Sequence, residues 1–276
     1  MATSQTIAAR LEMLLAPKVK PLRILFYAAR IRGWPFVMAW IQRLTGLLLV
    51  VYVCFHMLTL STLRTPALFD ARMTVFGLLP FVVLEWLLAL PVVLHAFNGG
   101  RLILYELYGN RRDDRLIGWA LGLSAAFVLF SGLMMILGNQ TVTPLFFWLP
   151  ALIAGGIAAS QVARRTWKTG NSTAWKLQRI SGAFMLVMIP GHLLFMHLDP
   201  ALGHQADVII TRMQHTLIKI VDLALVLSVF YHGAYGVLSV ADDYLPSRGF
   251  RIGARILVIL VMCAFAGAGV GLLLTV

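Results

Sequence analysis

Acidic side chains are scarce in this chain. Its 276 residues include 11 Asp and Glu against 23 Lys and Arg, and charged residues make up only 12%. So thin a charged complement cannot cover a soluble domain of this size. Cysteine is nearly missing as well. Cys54 and Cys263 both lie inside apolar runs, which argues against a disulfide framework or a thiolate metal site and leaves them as packing residues. Residues 1–36 are basic and lack the apolar core and small-residue cleavage site of a secretory signal.

What the chain does have is apolar length. It is 60% hydrophobic with a mean hydropathy of +0.85. Seven runs reach or exceed the roughly 18 apolar residues of a membrane helix. They fall near 37–61, 75–107, 116–138, 143–163, 174–197, 212–243 and 253–275. The fold class expected is an all-α membrane protein of about seven transmembrane helices. The second and sixth runs exceed the about 20 residues a bilayer needs, so they should tilt or project into water. Pro80 and Pro91 are expected to kink the second. The stretch PLRILFYAARIRG (21–33) mixes bases with apolar residues and reads either as an interfacial helix or as a solvated lead-in.

A formal charge of +12 in a soluble protein would suggest nucleic acid. Here the bases flank apolar runs, so membrane orientation and lipid headgroups account for them. The N-terminal tail carries Arg10, Lys18, Lys20, Arg23, Arg30 and Arg32. Loops on the same side add Arg111, Arg112, Arg115, Arg164, Arg165, Lys168, Lys176, Arg248, Arg251 and Arg255. The opposite side has only Arg64, Arg72 and Arg212. The positive-inside rule then predicts a cytoplasmic N-terminus and a C-terminus outside. An even number of spans would break this alternation.

The chain repeats itself. IQRLTGLLLVVYVCFH (41–56) resembles LQRISGAFMLVMIPGH (177–192), aligning Gln42, Arg43, Gly46 and His56 with Gln178, Arg179, Gly182 and His192 at a constant offset of 136. In the next helices LHAFNGGRL (94–102) faces YHGAYGVLS (231–239) at an offset of 137, which matches His95 with His232 and Gly99 with Gly236. The expected organisation is a cytoplasmic segment 1–36, a three-helix unit 37–138, a connecting transmembrane helix and loop 139–172, and a second three-helix unit 173–276. Three spans take the chain across the membrane and the fourth brings it back, so the two units enter in parallel orientation.

Four of the seven histidines occupy repeat positions: His56, His95, His192 and His232. A histidine in a bilayer is costly without a partner, although a hydrogen bond to a neighbouring helix can supply one. Depth sorts the four into pairs. His56 and His192 lie ten residues, about 15 Å, beyond the glycines of their QR-x-[TS]-G elements. His95 and His232 lie on descending helices about 18 Å above the inner ends, so His56 pairs with His192 near the outside and His95 with His232 nearer the inside. Two bis-histidine sites at two levels of a helical bundle suit b-type haem, which takes axial imidazoles. Zinc would more often draw carboxylates or thiolates as well. A proton relay would need acids at similar depth, where only Glu85 is found. Gly99, Gly100 and Gly236 sit one turn from the histidines and either open space for a flat macrocycle or serve ordinary helix packing. Arg43 and Arg179, near the cytoplasmic ends, either fork onto haem propionates or snorkel unpartnered. Asp243 and Tyr244, taken alone, read as a helix end with an interfacial aromatic.

On these residues the chain resembles the cytochrome b membrane anchors of succinate dehydrogenase and fumarate reductase (complex II). Q42-R43-L44-T45-G46 with H95-x3-G99-x-R101-x4-E106 looks like the larger anchor subunit, and H232-x3-G236-x6-D243-Y244 like the smaller. The likeness covers most of 37–275 and suggests a fusion of the two. It implies an inner haem b held by His95 and His232, and an outer haem b on His56 and His192, as in two-haem members. It implies a quinone site using Arg43, Asp243 and Tyr244. It also implies flavoprotein and iron–sulfur subunits docked on the cytoplasmic face, because this chain carries no dicarboxylate or flavin site. Association into a higher oligomer of the complex and a bacterial inner (cytoplasmic) membrane location belong to the same expectation.

Two positions depart from the pattern. Ala39 stands where single-haem members place a serine in the quinone site, and Glu106 replaces the usual aspartate. The expected function is therefore the di-haem anchor of a succinate:quinone oxidoreductase. A quinol:fumarate reductase anchor and the cytochrome b anchor of another dehydrogenase are its close alternatives. A haem-free transporter is the alternative from another class, since internal repeats are common there.

Overall fold

The computed structural model describes residues 20–110, 112–138, 140, 142–199 and 203–276. Arg10, Lys18 and the rest of 1–19 in the N-terminal segment, and the loop residue Arg111, lie outside the described residues. Ten α-helices lie among the described residues: α1 (Lys20–Arg32), α2 (Trp34–Leu60), α3 (Pro66–Phe76), α4 (Leu79–Tyr108), α5 (Asp113–Leu137), α6 (Pro144–Thr166), α7 (Thr173–Leu198), α8 (Ala206–Gln214), α9 (Thr216–Tyr244) and α10 (Arg248–Thr275). A 3-10 turn, Ser61–Arg64, extends α2. Seven of the helices, α2, α4, α5, α6, α7, α9 and α10, are long and apolar enough to cross a membrane. The chain is an all-α integral membrane protein with seven candidate spans.

Local chemistry sets the boundaries. Gly33 adopts φ +84° and separates α1 from α2, a conformation that costs glycine little. Of the two readings of 21–33, the helical one holds. Phe26 and Ala29 are buried, and Phe26 packs edge-on against Trp34 at 5.8 Å. Gly109, left-handed at φ +65°, ends α4 and allows a short connection to α5.

Three sequence expectations need correction. The second run does not begin at 75: residues 75–76 close the separate helix α3, and Gly77 and Leu78 break the chain before the span. Pro80 stands in the first turn of α4, where the missing N–H costs nothing, so it starts that helix and does not kink it. Pro91 remains inside α4. The sixth run likewise divides at His215, leaving residues 212–214 in α8.

Helices α2, α4, α7 and α9 form a central ring in which each packs on two others, α2 on α4 and α9, and α7 on α4 and α9. Each contributes one of the four repeat histidines. α5 backs α4, α10 backs α9, and α6 lies along α7. Equivalent pairs of the two repeats therefore pack alike. Trp148, Met188, Ile218, Val221 and Leu225 bury the α6–α7–α9 contact. Met57, Phe230 and Met262 do so for α2, α9 and α10. The short helices α3 and α8, one per repeat, meet at the far end of the ring with Leu63, Leu272 and Leu273. Asp70 accepts a hydrogen bond there from the backbone N–H of Ala206, 136 residues later (2.9 Å).

Candidate functional site

The ring brings the four histidines together in the pairs that depth alone predicts. His95 and His232 have ring centroids 6.2 Å apart with planes at 81°. His56 and His192 repeat this at 6.4 Å and 84°. Each pair joins one histidine from each repeat. The two levels are ten residues apart along α2, from Gly46, which touches the His95 ring, to His56.

Around the inner pair the repeat shows its purpose. The carbonyl of Gln42 accepts from His95 Nδ1 (3.2 Å), with Thr45 Oγ1 also at 3.2 Å, while Gln42 Nε2 lies 3.3 Å from His95 Nε2. In the second repeat, Ser181 Oγ is 3.4 Å from His232 Nδ1, and Gln178 Nε2 is 3.2 Å from His232 Nε2. Thr45 and Ser181 each donate their own proton to a backbone carbonyl, so their oxygens face the imidazoles as acceptors. These bonds assign the proton to Nδ1 and leave Nε2 with its lone pair, the tautomer a metal ligand needs.

Gly46 and Gly182 lie directly against the rings. A Cβ at Gly46 would come within 2.9 Å of His95 Cε1, and one at Gly182 within 3.1 Å of His232 Cε1. The other glycines divide. A Cβ at Gly100 would press on Leu186 at 3.1 Å, and one at Gly99 would make ordinary contact with Gln42, so both positions belong to helix packing. Of these three, only at Gly236 would a Cβ meet nothing within 4 Å, so it alone keeps the space-opening alternative.

The residues fit a bis-imidazole metal group. An atom bound about 2 Å from each of two imidazole nitrogens sets their ring centroids roughly 6 Å apart. Among the described residues no three of His, Cys, Asp and Glu converge as a metal site, so the protein offers two donors per level. A metal held that way needs its remaining ligands from elsewhere, as a macrocycle would provide. Gln178 Oε1, beside His232, is buried without a hydrogen-bond partner, an orphaned acceptor at the inner level. Of the two amides on Nε2, that of Gln42 is also held by a hydrogen bond from Asn98 to its Oε1, whereas that of Gln178 has no partner on its oxygen.

A second cluster closes the basic end beside the inner pair. Arg43 follows Gln42 on α2, and its Nη2 lies 3.6 Å from Asp243. Its guanidinium stands over the rings of Trp40 and Tyr244 at 6.0 and 5.9 Å, and those rings are 5.8 Å apart. The sequence-selected Arg43, Asp243 and Tyr244 are therefore brought together, and Trp40 joins them. Arg179 behaves differently. It forks onto both oxygens of Glu106 at 2.9 and 3.0 Å and stacks over Trp175 at 4.6 Å. It neither snorkels alone nor stands free for another carboxylate. By the repeat offsets, Arg179 corresponds to Arg43 and Glu106 to Asp243, so both ion pairs cross between the repeats.

Several functional neighbours were not read from the sequence. Asn98 is fully buried. It donates to Gln42 Oε1 (2.7 Å) and Met38 O (3.1 Å) and accepts from Arg101 Nε (2.7 Å), and Arg101 reaches Asp113. This chain runs from the basic end to the amide beside His95. At the outer level, Tyr52 stacks on His56 at 5.7 Å and Trp148 flanks His192 at 6.2 Å. His197 is buried in the last turn of α7 with Nε2 3.4 Å from Glu85. Glu85 is also not the only acid at that depth. Asp222 occupies the equivalent position on α9, at the same offset of 137.

Together these features define a class: a duplicated helical membrane protein with paired imidazoles at two levels between its repeats. The family follows from comparison. The model of the succinate dehydrogenase/fumarate reductase transmembrane subunit matches residues 27–133 and again residues 158–270, and the chain belongs to that family. It is a complex II-type membrane anchor, with one copy of the family unit in each half. No curated protein and no solved structure matches it.

Proposed function

We propose that the chain is the di-haem cytochrome b anchor of a succinate:quinone oxidoreductase. It would hold the flavoprotein and iron–sulfur subunits at its basic end and pass electrons to membrane quinone. The observation that carries this reading is the pair of crossed imidazole pairs, at 6.2 and 6.4 Å, on two levels of one bundle. The charge distribution supports a cytoplasmic basic end and a C-terminus outside, and the family likeness suggests a bacterial inner membrane. The units proposed are 37–138 and 173–276, joined by the connecting segment 139–172.

His95 and His232 would hold the inner haem, and His56 and His192 the outer one. When bound, b-type haem supplies one-electron transfer at potentials set by its surroundings. The chain itself positions and tunes. The Gln42 carbonyl and Ser181 Oγ hold the Nδ1 protons, orient the rings and raise the basicity of Nε2. Gly46 and Gly182 let the ring edges approach the helix backbones.

At the basic end, Arg43, Trp40, Asp243 and Tyr244 frame a site for a quinone headgroup. Tyr244 Oη can donate to a quinone carbonyl. Arg43 offsets negative charge as the quinone is reduced, and the Asp243 carboxylate beside it can take up and return a proton. Ala39 contributes no hydroxyl here, so the indole of Trp40 closes that wall. Arg179, already bound by Glu106, joins the two repeats and is not assigned to a propionate.

A reduced-minus-oxidised optical spectrum, with haem quantified per chain, tests the proposal. Two b haems are expected. One haem would reduce His56 and His192 to packing residues. None, in folded protein supplied with haem, would overturn the redox reading. Co-purified flavoprotein and iron–sulfur subunits would separate this complex from other dehydrogenases.

A further inference from the structure

The turn between α6 and α7 carries a concentration of positive charge that the redox site does not use. Arg164, Arg165 and Lys168 are exposed there, and Lys176 follows in the first turn of α7. No Asp or Glu occurs between Asp114 and Asp199. None of the four has an anionic partner among the described residues, and Glu106 is taken by Arg179. Aromatic rings hold two of the cations without neutralising them. Arg165 lies over Tyr108 at 4.7 Å, and Lys176 over Trp167 at 5.2 Å. Trp167 itself is 58% exposed, at the junction of two membrane spans.

The helix below this patch continues it with an apolar face. On α6 the exposed apolar residues Leu149, Ile153 and Ile157 repeat every four positions. Arg164 comes eleven residues, three helical turns, after Ile153 and stands on the same face. An apolar stripe thus runs up one side of α6 and ends in a cation, with Arg165 and Lys168 beside it and an exposed indole at the boundary. Acyl chains lying on the stripe would place a phosphate against the guanidinium groups, and indole rings favour that headgroup depth. A soluble acidic partner would match the charges but not the stripe.

We propose that the α6–α7 turn is a binding site for an anionic phospholipid, with Arg164, Arg165 and Lys168 on its phosphate groups and Leu149, Ile153 and Ile157 along its acyl chains. The site lies on the connecting helix, outside the ring that holds the histidines, so it stands whether or not the haem reading does.

The test is native mass spectrometry of the full chain in detergent, with equimolar phosphatidylglycerol and phosphatidylcholine. The wild type should retain the anionic lipid preferentially. The triple variant Arg164→Gln/Arg165→Gln/Lys168→Gln should cut that preference by more than about tenfold, given the strength of each cation at a membrane surface. Arg164→Lys should keep it. All three side chains are exposed, and unchanged helicity with monodisperse elution would confirm that the triple variant folds. An unchanged lipid preference in the triple variant overturns the proposal. So does full competition by millimolar inorganic phosphate, which would indicate a simple anion site. Loss of a co-purifying acidic subunit with no change in bound lipid would identify a protein-docking surface instead, and would equally refute it.

Discussion

Gly46→Ala tests the inner site without touching a ligand. The added Cβ would sit 2.9 Å from His95 Cε1, closer than side chains tolerate, so the imidazole or helix α4 must move. The ring has little freedom, because its Nδ1 is held by the Gln42 carbonyl. Inserting a methyl into a packed site costs about 1–3 kcal/mol. If that strain falls on the ligand geometry, inner-haem affinity should drop by roughly 5- to 150-fold. The helix itself gains, since alanine is better than glycine in a helix interior by about 1 kcal/mol. Lost haem with undiminished helicity therefore separates a ligand effect from misfolding. His56 and His192 lie one level away, so the outer haem should keep its potential. Gly156→Ala on α6, where a Cβ meets nothing within 4 Å, is the control and should be silent. The assay is a redox titration of the two b components with haem quantified per chain. An unchanged inner component, or a shift confined to the outer one, would refute the assignment of Gly46 to the His95 ring.

Other outcomes follow from the same geometry. His95→Ala or His232→Ala should remove the inner haem, and His56→Ala or His192→Ala the outer one; the count after each change checks the pairing. Gly236→Leu should leave the empty chain folded, since no atom lies within 4 Å of an added Cβ, yet abolish inner-haem binding if that space belongs to the macrocycle. Equal haem in variant and wild type would remove that role. Asn98→Ala should lower thermal stability by about 2–4 kcal/mol, because it strips partners from buried Arg101 and from Gln42; a change below about 0.5 kcal/mol would show that the network relaxes. Arg43→Gln should keep both haems but lose quinone reduction, which steady-state assays with a soluble quinone would show.

The histidine pairing was legible because three regularities agree. The 136 and 137 offsets match equivalent residues, the rise of a helix gives their depth, and an unpartnered imidazole is costly in lipid. The cluster of Arg43, Asp243 and Tyr244 was legible through the family pattern. What escaped was what a linear pattern cannot carry. Gln42, Thr45 and Gly46 stood in the quoted motif, but that their amide, hydroxyl and bare Cα meet one imidazole needs the crossing of α2 and α4. Asn98 reads as an ordinary polar residue until its three bonds are seen. Arg179 repeats Arg43, yet Glu106 is one methylene longer than Asp243 and forks onto its arginine, whereas Asp243 reaches Arg43 at only 3.6 Å. The second and sixth runs misled for a simpler reason. Their extra length belongs to α3 and α8, and hydropathy does not register the breaks at Gly77 and His215. Asp222 was overlooked although the offset already matched it with Glu85.

The two ion pairs also bear on why both halves are present in one chain. Arg43 of the first repeat meets Asp243 of the second, and Arg179 of the second meets Glu106 of the first. Each imidazole pair is built the same way, with equivalent residues facing each other across the boundary. The imidazole pairs and the ion pairs therefore lie between the repeats, while the groups that orient each inner imidazole come from its own repeat. Half of the chain would keep its helices but offer only one imidazole at each level and leave one acid and one arginine without partners. Three spans per repeat place the end of the first on the opposite side from its beginning, so a second copy in parallel orientation requires one more crossing. Helix α6 provides it and contributes no histidine. Fusion then costs one extra span and fixes the two halves at equal stoichiometry. The asymmetries that remain, Asn98 satisfying the Gln42 oxygen while the Gln178 oxygen is a buried orphan, give the two sides of the inner level different polarity. Tyr235 stands where the offset of 137 places the equivalent of Asn98; exchanging the two, with Asn98→Tyr and Tyr235→Asn together, should shift the inner potential while leaving the outer one in place. A shift of both, or of neither, would show that these flanking residues do not tune the pair.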